Sequence, residues 1–137
     1  MSNQYEIEER TTKLLNRLGV TANYRGYYYV SSAVELCVEK EERLLFITKW
    51  LYPEVAKRYQ TNWKAVERSM RTAGGIMWRE NQPLLEELAC RKLKRQPRTA
   101  QMLAILAAAV KKEGPQAEYS QPGEESVLEE VKQGYAR

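Results

Sequence analysis

Lys64, Arg68 and Arg71 recur at intervals of four and three residues, with Glu67 beside them. An α-helix over this stretch places all three cations on one side. An arginine held that way can donate two hydrogen bonds to guanine O6 and N7, worth roughly 1–3 kcal/mol of discrimination. Glu67 can accept from cytosine N4, or orient Arg71 from one turn away. Lys57, Arg58 and Arg79 fall near the flanking phosphates. Thr61 and Asn62 before the helix, and Lys94 and Arg95 beyond it, join them in supplying affinity and register rather than specificity. The competing reading is a solvated basic face with Glu67–Arg71 as a surface ion pair.

Other chemistries are poorly served. The chain contains no histidine, and all eighteen of its acids are glutamates. It therefore cannot assemble a Ser-His-Asp or Cys-His nucleophile, a histidine metal site or an aspartyl-phosphate acceptor. Cys37 and Cys90 lie far apart without a CxxC pair, and read as reduced thiols. Glu86-Glu87 reads as solvated charge. There is no phosphate loop and no calcium-loop spacing, so neither an enzyme nor a cofactor nor a metal is expected.

The charge distribution suits a polyanionic partner. Residues 1–113 hold 20 basic and 13 acidic side chains, giving +7, whereas residues 114–137 hold 2 and 5, giving −3. A basic body with an acidic tail fits nucleic acid. The longest apolar run, Met102 to Val110, is nine residues, short of the roughly 20 a membrane helix needs. The polar N-terminus is no signal peptide, and a soluble, cytoplasmic chain is expected.

The elements that would hold the basic face are helical. Ile7, Leu14, Leu15 and Leu18 recur at helical spacing before Gly19, and Val30, Val34, Cys37 and Val38 do so after Gly26. The Tyr27–Tyr29 cluster reads as core packing. Residues 41–51 read as a third, strongly apolar helix, and Pro53 opens a short one through Tyr59. Gln60-Thr61-Asn62 is a polar break that caps a longer helix, 63–80. A short helix follows from Pro83 to Ala89, then a basic connector, 91–98, and a last helix, 100–112. On the helix 63–80, Val66, Met70, Ala73 and Met77 form the buried stripe with Trp63 on its edge. The expectation is an all-α bundle of six or seven helices containing a helix-turn-helix. Residues 1–113 form the domain and residues 114–137 an acidic tail, with a short helix at 126–133.

Three stretches in this order, LGVTANYRGYYYVSSAVEL, ITKWLYPEVAKRYQTNWKAVERSMRTA and QPRTAQMLAILAA, resemble the DNA-binding effector domain of the stage-zero sporulation response regulators of endospore-forming bacteria. Leu51-Tyr52-Pro53 with Val55-Ala56-Lys57, and Val66-Glu67-Arg68 with Arg71 and Ala73, carry most of the resemblance. It spans about residues 5–112. It implies a transcription regulator whose helix-turn-helix reads a short operator box in double-stranded DNA, as tandem protomers or a homodimer, and which contacts RNA polymerase. Glu67, Arg68 and Arg71 match the recognition-helix positions and Thr61 the turn threonine. Lys64-Ala65 stand where relatives usually carry Ser-Arg, and Gly74-Gly75 replace larger residues. The family's receiver domain and its phosphorylated aspartate have no counterpart here, so a different switch is implied. The alternative reading is a protein-interaction module, or a modulator of a full-length relative, that has lost operator specificity.

Overall fold

The computed structural model describes residues 2–112. The acidic tail 114–137, the short helix expected at 126–133 and the domain boundary at residue 113 lie outside the described residues. The chain runs α1 (Ser2–Arg17), α2 (Arg25–Glu39), a 3₁₀ turn (Glu41–Leu44), a π turn (Ile47–Leu51), α3 (Tyr52–Arg58), α4 (Trp63–Ala89) and α5 (Thr99–Lys112). Among the described residues there is no strand, and no helix is long and apolar enough to cross a membrane.

The apolar spacing fixes which faces turn inward. Leu14, Leu15 and Leu18 of α1 and its junction meet Val30, Ala33, Val34 and Cys37 of α2, with Leu103 and Leu106 of α5 in the same core. α2 is the hub, packing against α1, α4 and α5. Gly19, at φ +99°, takes the left-handed turn after α1, a conformation that costs glycine little. Gly26 has a different reason to be glycine. A Cβ there would stand 2.7 Å from the Ser69 carbonyl oxygen and 3.0 Å from Ala73 Cβ, so α2 and α4 cross at backbone contact.

Two expectations need correction. Residues 41–51 do not form one helix: Phe46 (φ −141°, ψ 74°) separates a 3₁₀ turn from a π turn, and of these turns only Leu51 is buried. Six large apolar residues in eleven would cover a straight helix on every side, which a single packing face cannot bury. Arg43 holds the first turn in place, donating to Leu36 O (2.7 Å) and to Glu54 Oε1 (3.2 Å). The helices expected at 63–80 and 83–89 are both present, joined end to end in α4 and separated by a kink at Asn81 (φ −153°, ψ 59°). Asn81 Nδ2 donates to Arg17 O (2.9 Å), while Oδ1 accepts from Leu84 N (3.3 Å), so this side chain caps the second segment and fastens it to α1. With α4 divided at Asn81 and residues 41–51 reduced to two short turns, the five α-helical elements make six helical segments, against the six or seven helices expected. The tyrosine cluster divides: Tyr29 is buried, Tyr27 is half-buried and Tyr28 is exposed.

Cys37 is fully enclosed, and burial pushes its thiol up to about 11, only partly offset by Arg43. Because the thiolate is the nucleophile, Cys37 should resist alkylation in the folded protein at pH 8, while half-buried Cys90 reacts. Mass spectrometry after brief iodoacetamide treatment should find one label, and two after denaturation.

Candidate nucleic-acid interface

α3 and α4 form the helix-turn-helix. Val55 and Ala56 anchor the first helix, and Val66, Met70, Ala73 and Met77 anchor the second. The turn between them is tight: Gln60 adopts φ +50°, and Thr61 N donates to Ala56 O (2.9 Å), closing the C-terminus of α3. Asn62 then caps α4, its Oδ1 accepting from Ala65 N at 2.9 Å. Asn62→Ala should lower stability by about 1 kcal/mol, and Asn62→Ser should retain most of it. Thermal melts of the two variants check this.

Lys64, Arg68 and Arg71 are exposed on the face opposite the buried stripe, and Glu67 is half-buried among them. Arg71 donates to Glu67 Oε2 at 3.1 Å, so its guanidinium is already oriented. Arg68 makes no ion pair among the described residues. Trp63, placed by periodicity at the edge of the buried stripe, is instead exposed at the start of α4. Lys64 Nζ sits 5.9 Å from its ring centroid, within range of a cation–π contact.

The outlying cations divide into two groups. Lys57, Lys94 and Arg95 are exposed. Arg58 is engaged within the fold, donating to Ser32 Oγ (2.7 Å) and lying 3.4 Å from Glu35 Oε1. A phosphate would have to compete with those partners. Arg79, exposed, lies 3.6 Å from Glu80 Oε2.

The connector 91–98 lies against α4. The Gln96 side-chain amide reaches within 3.5 Å of where a Cβ on Gly74 would stand and 3.8 Å of one on Gly75. The glycine pair is therefore a seat for Gln96, with Met102 Sδ on its inner side. Glu86 holds the start of the connector, its Oε2 accepting from Leu93 N (2.9 Å) and Gln82 Nε2 (3.2 Å). Those bonds hold its carboxyl below the usual carboxylate range. Glu86 is thus a loop anchor rather than free surface charge. Lys94 and Arg95 precede Gln96 directly, which places them beside the end of the basic face.

Two residues were missed from the sequence. Arg25 lines a shallow groove of about 230 Å³ together with Arg68, Ser69 and Thr72. It sits 43 positions before Arg68, and nothing in local spacing joins them. Tyr52 is buried beside the Thr99 side chain and close enough to Glu67 and Arg71 to feel both charges. Burial dominates and pushes its phenol above the ordinary value. Tyr52 thus joins the starts of α3 and α5 behind the Glu67–Arg71 pair.

The arrangement is a capped helix whose outer face carries three cations and an oriented carboxylate, bordered by a further arginine and a basic loop. A family model described as "Sporulation initiation factor Spo0A C terminal" matches residues 11–110. That match covers both helices of the helix-turn-helix, the connector and nearly all of α5.

Proposed function

Since this chain belongs to the sporulation initiation factor Spo0A C-terminal family, a family of DNA-binding effector domains rather than enzymes, we propose that it is a sequence-specific regulator of transcription that reads the major groove with the first three turns of α4. The observation that carries this reading is the outer face of that helix. Lys64, Arg68 and Arg71 are exposed there, with Glu67 bound to Arg71, while the opposite face is fully committed to the core. Arg68 and Arg71 reach base edges. Glu67 accepts from cytosine or keeps Arg71 in register. Lys57, Arg25, Lys94 and Arg95 meet phosphates on either side, with Thr61, Asn62 and Arg79 at the margins. Arg58 contributes only by exchanging Ser32 and Glu35 for a phosphate. A second protomer on the neighbouring half-site and RNA polymerase are the further partners that the family reading adds.

Fluorescence anisotropy across a salt series tests this, with one duplex carrying tandem copies of the family's operator box and one scrambled. Tighter binding to the operator should persist as salt rises. Lys57→Ala should weaken binding to both duplexes alike and reduce the salt slope by about 1. Equal binding to both duplexes, collapsing steeply with salt, would leave only phosphate contact and overturn the reading.

A further inference from the structure

Three exposed large apolar side chains lie together away from the basic face, in the two turns between α2 and α3. Leu45 and Phe46 are 70% and 56% exposed, and Trp50 is 42% exposed. The Phe46 and Trp50 rings meet edge to face at 5.1 Å, with Leu44 and Ile47 partly buried against the core. A contiguous apolar patch on so small a domain marks a surface that is covered by something.

The place where the described chain ends supplies the occupant. Lys111 Nζ lies 3.3 Å from Glu41 Oε2, so the end of α5 stands beside the turn that leads to Leu45. The chain continues from there for 25 residues. Within them Val127, Leu128, Val131 and Tyr135 fall inside an arc of about 100° at helical spacing, with Glu129, Glu130, Lys132 and Gln133 outside it. The fifteen steps from Lys112 to Val127 span roughly 20 Å as a coil, which matches a neighbouring surface. At that length a tethered segment meets its site at about millimolar effective concentration. Lys40 and Lys49, both exposed beside the patch, complement Glu129 and Glu130.

We propose that the stripe Val127, Leu128, Val131 and Tyr135 docks intramolecularly on Leu45, Phe46 and Trp50. The acidic segment is thereby held on the apolar turns rather than on the basic face of α4. This inference does not depend on the DNA-binding reading.

Hydrogen exchange of the full chain, read by mass spectrometry on peptides covering residues 126–135, tests it. The wild type should exchange there at least tenfold more slowly than an unstructured peptide. Phe46→Ser and Val131→Ser should each restore the fast rate while the core helices keep theirs. Phe46 is mostly exposed, so its substitution leaves the fold intact. Unprotected exchange in the wild type would overturn the proposal, as would protection indifferent to both substitutions. Protection that appears only with rising concentration, with a dimer mass by light scattering, would assign the patch to a second copy and equally overturn it.

Discussion

Arg68→Ala should reduce the preference for the operator over a scrambled duplex by roughly tenfold to a hundredfold. The same substitution should leave thermal stability within about 0.5 kcal/mol of the wild type. Both halves of this expectation come from the surroundings of the side chain. Arg68 is exposed, on the side of α4 away from Val66 and Met70, and makes no ion pair among the described residues. Its removal therefore opens no cavity and orphans no buried partner. What disappears is a pair of donors with no role inside the protein. Arg71 differs in one respect. Its removal also releases Glu67, which it holds at 3.1 Å, and an unpaired carboxylate facing DNA repels phosphate. Arg71→Ala should thus weaken binding to both duplexes as well as narrow the difference between them. Competition anisotropy and a melting curve on each variant separate the two. An unchanged preference in Arg68→Ala would remove α4 from the base-reading role.

Gly26→Val should produce the opposite pattern. Its Cβ would lie 2.7 Å from a backbone oxygen of α4, and a helix carbonyl cannot step aside as a flexible side chain can. Overpacking of this kind costs about 2 kcal/mol, a drop of roughly 10 °C in Tm for a domain of this size. The strain falls at Ser69 and at Ala73 of the buried stripe, on the side of α4 that meets α2 rather than on the outer face itself. Binding measured well below the melting transition should keep its operator preference. One variant loses discrimination with stability intact, and the other loses stability with discrimination intact. Circular dichroism melts and anisotropy at 10 °C read both.

Much of this was legible in the sequence because it depends on local pattern. Helical spacing located α1, α2 and α5, and Pro53 and the Gln60–Asn62 break located the helix-turn-helix. The three-cation face followed from the same projection. The rest depends on contacts between distant residues. Arg58 reads as a free phosphate ligand until Ser32 and Glu35, more than twenty positions earlier, are folded against it. Arg25 joins Arg68 only through the close crossing at Gly26. Residues 41–51 misled for another reason: their apolar content matched a core helix, yet no neighbour offers enough surface to bury it. Trp63 was misplaced because a residue in the first turn of a helix extends past the end of the packed face, whatever its angle.

The seating of Gln96 on Gly74 and Gly75 bears on transplantation. An alanine fits at either glycine, since the nearest atoms stand 3.4 Å or more from its Cβ, but a longer side chain at residue 74 must displace Gln96 and Met102. Residues 63–80 and the connector 91–98 are therefore not interchangeable parts. A chimera that takes only the recognition helix into a foreign helix-turn-helix would carry over the base-reading arginines without the loop that Gln96 holds beside them. Faithful transfer of the footprint requires residues 63–98 as one cassette, together with the α5 surface that supports Gly74.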